Sequence, residues 1–332
     1  VIVKGNKLLG SGYHKQYGAA HAEINAINNA KRKGNNIIGS TLYVNLEPCF
    51  HYGKTPPCVD SIIQNKFSRV VVSSADPNSL VNGKSLQKLR RHHISVTSNI
   101  LKEEARQLNC FFFNRMEKQR PFIALKYAET ADGFIAKPNG SSQWITNEDS
   151  RKYVHHLRSQ YDAILVGVNT VIQDNPELTV RHTKGKNPIR IILDKDLRSP
   201  LRRKIFQSDV ASTIVFIARK TAEKKKQKIQ QLKNKGVIVI SVSLKKNLLD
   251  LSAILKSLLE YNISSIFVEG GARVFYSFLT ANLVDYIYYF KANTIYFQSG
   301  MKGVSALITD KKFKKVQNKK FGNDELQEYL TR

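Results

Sequence analysis

The triplet His21-Ala22-Glu23, the pair Pro48-Cys49 and the later Cys58 supply one nitrogen donor, two sulfur donors and a carboxylate that stands apart from them. That set reads as a catalytic zinc site. Zinc held by three protein groups keeps a fourth position for water and lowers that water's pKa to near neutrality, so hydroxide becomes available as a nucleophile. Glu23 can then carry protons. A purely structural zinc prefers a fourth protein ligand, and His51, two residues after Cys49, is the candidate. In that arrangement Glu23 has no task. Taken singly, a histidine at a helix start is a surface or capping residue and a cysteine is a small apolar filler. Taken jointly, the pattern points to metal.

The elements around these residues bring them together. Gly18-Ala19-Ala20 reads as a loop, and Ile24, Ala26, Ile27 and Ala30 recur at helical spacing over residues 23–32 until Gly34 ends the run. His21 and Glu23 thus belong to the first helical turn. Residues 41–46 read as a strand that delivers Pro48-Cys49. Cys58 precedes a short helix over 59–64, and a helix start favours thiolate over thiol.

Eight residues, Phe50 to Pro57, separate the two cysteines, whereas cytidine deaminases and tRNA adenosine deaminases are typified by C-x-x-C. The segment Leu46-Glu47-Pro48-Cys49-Phe50-His51-Tyr52-Gly53-Lys54-Thr55-Pro56-Pro57-Cys58 instead resembles the signature of the bifunctional deaminase/reductase family of riboflavin biosynthesis. The resemblance continues through Leu125-Lys126-Tyr127-Ala128, Ala131-Asp132-Gly133, Ser142-Gln143-Trp144-Ile145-Thr146, Arg158, Asp162 to Gly167, Thr170, Asp174-Asn175-Pro176, Leu178-Thr179-Val180-Arg181 and Val268-Glu269-Gly270-Gly271. It implies an α/β protein with two domains. Residues 1–117 would form an N-terminally truncated, cytidine-deaminase-like three-layer α/β/α domain, and residues 121–332 a dihydrofolate-reductase-like α/β domain.

The same resemblance implies two reactions on a small phosphorylated pyrimidine. The first is zinc-dependent hydrolytic deamination of a diaminopyrimidinone ribosyl phosphate, with His21, Cys49 and Cys58 on the metal and Glu23 moving protons. The second is reduction of the ribosyl group to ribityl by NADPH. Lys126, Ser142, Arg158, Leu178, Arg181 and Glu269 would face the substrate. Ala128, Trp144, Thr170, Asp174 and Gly271 would face NADPH, and Lys126 or Asp174 would protonate the sugar oxygen. The chain opens at Val1-Ile2-Val3, without the leading helix and P-N-P-x-V-G-like loop that the family carries. After Val284-Asp285 the family's P-x-L-L-G pattern is replaced by Ala292-Asn293-Thr294-Ile295-Tyr296-Phe297, and the tail from Lys311 is lysine-rich.

Apolar runs at 189–193, 213–217, 237–240 and 266–268, separated by helical stretches, argue independently for a mostly parallel sheet with ligands beyond the carboxyl ends of its strands. Gly270-Gly271 falls at such an end, where backbone N–H groups can approach a phosphate, although a tight turn explains a glycine pair equally well. No G-x-G-x-x-G fingerprint is present, which disfavours a standard Rossmann dinucleotide domain. Trp144, the single tryptophan, is a core residue unless its motif makes it a cofactor contact. Residues 101–113 read as a helix and the polar stretch 114–120 as a linker to a strand over 122–127.

At 332 residues the chain has room for two cores, and no run of apolar residues reaches the length of a membrane span. Three cysteines, two of them assigned to zinc, leave Cys110 as a small buried residue and fit a reducing cytoplasm. A formal charge of +27 raises the alternative of a nucleic-acid base deaminase with a basic accessory domain. The lysines are scattered, however, and the densest run, Lys224-Lys225-Lys226 with Lys228, reads as the solvated face of one amphipathic helix, so neither nucleic acid nor membrane is expected as a partner. A zinc-stabilised non-catalytic module is the remaining alternative, and a homo-oligomer is left open.

Overall fold

The computed structural model describes residues 1–16, 18–78, 81–142, 144–207, 209–303, 305–308 and 312–332; Gln143 and Lys311 of the motifs above lie outside them. The chain divides into two compact units, Val1–Lys118 and Gln119–Arg332.

The first unit runs β1 (Ile2–Lys4), β2 (Lys7–Gly10), α1 (Ala22–Arg32), β3 (Thr41–Val44), α2 (Cys58–Gln64), β4 (Arg69–Val72), α3 (Lys84–Arg91), β5 (Ser95–Ser98), α4 (Lys102–Leu108) and α5 (Cys110–Lys118). Its sheet has the order β2-β1-β3-β4-β5, with β3, β4 and β5 parallel and the β1–β2 hairpin antiparallel to β3. Leu42, Val70 and Val72 on these strands pack with Ala26, Ile27 and Ala30 of α1, Val59 and Ile62 of α2, and Leu86 and Leu89 of α3. The buried stripe of α1 is Glu23, Ala26, Ile27 and Ala30, an i, i+3, i+4, i+7 series. A carboxylate thus occupies a core-facing position. The helix expected over 101–113 is broken at Asn109 and resumes to Lys118, so most of the expected polar linker is helical. Cys110 is half-buried rather than buried.

The second unit runs β6 (Phe122–Glu129), β7 (Phe134–Ala136), α6 (Glu148–Arg158), β8 (Ala163–Gly167), α7 (Val168–Asp174), β9 (Ile189–Leu193), β10 (Thr213–Ala218), α8 (Arg219–Lys224), α9 (Lys226–Asn234), β11 (Ile238–Val242), β12 (Leu244–Lys245), β13 (Leu248–Leu249), α10 (Leu251–Glu260), β14 (Ser265–Val268), α11 (Ala272–Thr280), β15 (Tyr286–Ala292), β16 (Met301–Lys302), α12 (Ser305–Ile308), β17 (Phe313–Phe321) and β18 (Asp324–Thr331). Its main sheet has the order β11-β10-β9-β8-β14-β6-β15-β18-β17. The strands from β11 to β15 are parallel and the β17–β18 hairpin is antiparallel. β8, β10 and β14 are buried throughout, as parallel strands covered on both faces must be. The lysine run expected to form one helix is split at Lys225 into α8 and α9.

Gly12 fixes how the chain meets α1. A Cβ at this position would lie 2.3 Å from the Ala26 nitrogen and 2.6 Å from the Ala22 carbonyl oxygen, both backbone atoms that cannot swing aside. Gly12→Ala therefore pushes on the helix that carries His21 and Glu23, and overpacking of this kind costs about 1–3 kcal/mol. We expect a lowered melting temperature together with reduced zinc content by metal analysis. An alanine variant that melts and binds zinc like the parent would show that the contact yields freely.

Candidate functional site

Three segments converge in the first unit. His21 is the N-cap of α1, Cys49 follows β3, and Cys58 opens α2. The His21 Nδ1 atom lies 3.4 Å from Cys49 Sγ and 3.3 Å from Cys58 Sγ. A tetrahedral zinc with ordinary N and S bond lengths holds such ligand atoms roughly 3.5 Å apart. The donor set fits the metal in both chemistry and spacing. Among the described residues these three form a metal-ligating group that includes neither Glu23 nor His51, which counts against the four-ligand structural site.

The start of α2 acts on the Cys49 sulfur rather than on that of Cys58. The Cys58 backbone N–H donates to Cys49 Sγ at 3.1 Å. Cys49 is pulled down to about 4, first by the Cys58 side chain and then by His21 and that backbone donor. Cys58 is pushed up by its hydrogen bond with Cys49 and by burial. Beside them Glu23 is buried, and that burial raises its carboxyl above the ordinary range.

Glu47, in the strand-end motif, has a structural task that its sequence position does not announce. Its buried carboxylate accepts from the Asp76 and Gly83 backbone N–H groups at 3.3 and 2.9 Å and from Ser85 Oγ at 2.6 Å. The cysteine loop is thereby tied to the segment that follows β4 and to the start of α3. Asx and turn residues near 76–83 mark a loop in the sequence, but nothing there names its partner.

In the second unit all eleven residues assigned to substrate and cofactor line one cavity of about 260 Å³. β6 supplies Lys126 and Ala128, α6 supplies Arg158, α7 supplies Thr170 and Asp174, and the end of β14 supplies Glu269 ahead of Gly271 at the N-cap of α11. Ser142, Trp144, Leu178 and Arg181 come from intervening loops. The cavity thus lies at the carboxyl ends of the parallel strands.

Trp144 is not core: it is 63% exposed, with the Arg151 guanidinium 4.5 Å from its ring centroid. The two glycines differ. A Cβ on Gly270 would press on the Val274 side chain at 2.8 Å, whereas one on Gly271 meets nothing within 4 Å, so Gly271 faces space that a ligand can use. An open N-cap and an exposed aromatic face suit a dinucleotide.

The charged groups of this cavity are interlocked. Arg158 donates to both oxygens of Glu269, at 2.6 and 2.9 Å, and both side chains are nearly out of contact with water. Burial opposes ionisation of Glu269, but the charge and hydrogen bonds of Arg158, joined by the Lys126 charge, together outweigh it and the carboxyl titrates below its usual range. Burial holds the Lys126 ammonium below its ordinary range, opposed by Glu269 and assisted by Arg158. Asp174 is raised by burial, while Ser142 Oγ donates to it at 3.2 Å. Arg181 is more exposed and pairs with Glu177 at 2.9 Å. His155, which the sequence reading passed over, also lines the cavity; burial and then Arg158 push it down to about 4, so it is neutral at pH 7.

Residues 121–324 match the family model of the RibD C-terminal domain, and residues 1–74 match that of the cytidine and deoxycytidylate deaminase zinc-binding region. The riboflavin biosynthesis protein RibD of Aquifex aeolicus is 43% identical over 328 residues, covering 98% of this chain and 89% of that protein. The chain belongs to the RibD family. The RibD of Escherichia coli is 37% identical over 289 residues, covering 86% of this chain and 78% of the relative. Among solved structures, a diaminohydroxyphosphoribosylaminopyrimidine deaminase/5-amino-6-(5-phosphoribosylamino)uracil reductase from Thermotoga maritima superposes with a TM-score of 0.86 at 38% identity, covering 100% of this chain and 91% of that one. RibD from Acinetobacter baumannii gives 0.83 at 31% identity, with the same two coverages of 100% and 91%. The fold of this RibD-family chain is accordingly α/β, with a cytidine-deaminase-like part followed by a reductase part. No helix among the described residues is long and apolar enough to cross a membrane.

Because the Arg158–Glu269 pair is buried, removing one partner strands the other charge. Glu269→Ala should cost about 3 kcal/mol or more, against under about 1 kcal/mol for an exposed pair. Trp144 is the chain's single tryptophan, so its emission during urea unfolding reports on this unit. The double change Arg158→Met/Glu269→Leu should lose less than Glu269→Ala. A single-variant loss under about 1 kcal/mol would contradict a desolvated pair.

Proposed function

We propose that the chain carries out two consecutive steps on a phosphorylated pyrimidine, with residues 1–117 deaminating it and residues 121–332 reducing its ribosyl group. The observation that carries this reading is the His21, Cys49 and Cys58 donor set with the buried Glu23 beside it. Bound at that set, zinc supplies an activated water for attack on the amino-bearing ring carbon. The Glu23 carboxylate takes a proton from the attacking water and returns protons to the ring nitrogen and then to the departing amine. Ammonia leaves and a carbonyl remains. The raised affinity of Glu23 for protons suits both halves of that transfer.

In the second unit NADPH, when bound, supplies hydride to the sugar carbon, and the chain's own residues handle position and protons. Ala128, Trp144, Thr170, Asp174 and the open backbone at Gly271 form the side assigned to NADPH. Lys126, Ser142, Arg158, Leu178, Arg181 and Glu269 form the substrate side. Opening the ribose leaves an oxygen that needs a proton. The Lys126 ammonium, weakened as an ion by burial, is better matched to donate it than Asp174, which accepts from Ser142. Arg158 is committed to Glu269, so Arg181, at an exposed pair it can exchange, is the cation for the 5′-phosphate. Leu178, held at a left-handed φ of 53°, turns the chain so that Arg181 reaches the cavity.

Two substitutions separate the activities. Glu23→Gln should keep roughly one zinc per chain yet slow ammonia release at least about a hundredfold, whereas Cys58→Ser should lose the metal. Lys126→Met should leave ammonia release intact and stop NADPH oxidation with the deaminated substrate. Normal deamination by the glutamine variant would remove Glu23 from proton transfer. Normal NADPH oxidation by the methionine variant would do the same for Lys126.

A further inference from the structure

The lysine run at 224–228 does not form the solvated face its sequence implies. Lys224 and Lys226 are exposed, but Lys225 and Lys228 turn inward and donate to one acceptor, the Leu197 carbonyl oxygen, at 3.2 and 2.9 Å. Both cations therefore end on a neutral oxygen. Two ammonium groups sharing one atom stand roughly 6 Å apart or less, a distance at which like charges disfavour each other unless an anion joins them. Asp194, the acidic group whose charge reaches Lys228, is already occupied by Arg198 N, Ser199 N and Ser199 Oγ.

The acceptor is held in place. Leu197 is fully buried and adopts a left-handed φ of 50°, which a non-glycine residue keeps only when its surroundings impose it. Its loop follows β9, at the carboxyl edge of the sheet where the cavity also opens. Arg198 of that loop donates to Asn169 at 2.7 Å, and the next residue, Thr170, lines the cavity. From β6, which carries Ala128, to β9 the sheet order crosses three strand spacings, roughly 14 Å. A dinucleotide lying across the strand ends from Ala128 past Thr170 would bring its adenosine half to Leu197.

We propose that Lys225 and Lys228 seat the 2′-phosphate of the adenosine half of NADPH, and so set the choice between phosphorylated and unphosphorylated nicotinamide cofactors. The assignment rests on the reductase reading above. It calls for a binding test that needs no hydride transfer. Titration calorimetry on the full chain should show adenosine 2′,5′-bisphosphate bound at least about tenfold more tightly than adenosine 5′-monophosphate, a difference of about 1.4 kcal/mol. Lys225→Gln/Lys228→Gln should abolish most of that preference without changing the affinity for the monophosphate, and Lys225→Arg/Lys228→Arg should retain it. Equal binding of the two nucleotides by the parent chain, or a preference that survives the glutamine pair, overturns the proposal. A parent chain whose preference is lost in the glutamine pair but which fails to oxidise NADPH with deaminated substrate supports the phosphate seat and refutes the reductase reading instead.

Discussion

A charge taken out of water must be met by hydrogen-bond donors or by an opposite charge, and both units are organised around that requirement. In the first, the Glu47 carboxylate gathers two backbone N–H groups and a hydroxyl from a segment more than twenty-five residues away, which anchors the cysteine loop. In the second, Arg158 on α6 and Glu269 after β14 neutralise each other across the cavity. Asp285 plays the same part at the base of the sheet, where it accepts from the Arg120 guanidinium at 2.6 Å and from the Ile123 N–H at 2.9 Å. Each of these groups joins elements distant in sequence, and each would be costly if left alone. The sites inherit their rigidity from these pairings rather than from apolar packing alone.

The metal centre was legible because its information is local. Residue type restricts the ligands to His21, Cys49 and Cys58, and the helix that presents Glu23 shows itself in a periodic stripe. The sequence could not show which sulfur the start of α2 serves, because that depends on the path of residues 50–57 through space. The hydrogen bond from Cys58 N goes to Cys49, so the start of α2 favours the thiolate of Cys49 and not that of Cys58. Glu47 escaped notice for a similar reason. It belongs to a motif that suggests catalysis, yet its hydrogen bonds go to the 76–85 segment and hold structure.

The parallel strands of the second unit were legible from apolar runs, since a strand covered on both faces has no alternation to hide. The β17–β18 hairpin was not. β17 reads Phe313-Lys314-Lys315-Val316-Gln317-Asn318-Lys319-Lys320-Phe321, with little buried, and its strand character comes from pairing with β18, which pairs in turn with β15. Helix breaks were equally hidden. Asn109 between α4 and α5 and Lys225 between α8 and α9 interrupt runs whose periodicity continues across them.

The excess of lysine then divides into groups with different physical roles, which composition alone merges into one number. Lys126 is held inside the cavity with a weakened charge. Lys225 and Lys228 are drawn onto a carbonyl. Lys314, Lys315 and Lys320 lie exposed along β17, the last strand of the sheet, where unpaired backbone groups would otherwise invite another chain to add a strand. Charged side chains on such an edge oppose that pairing, because a second strand would have to desolvate them, and among the described residues only Lys315 of the three has a carboxylate near it, Glu325 at 3.9 Å. A net charge of +27 is therefore not by itself evidence for a polyanionic partner.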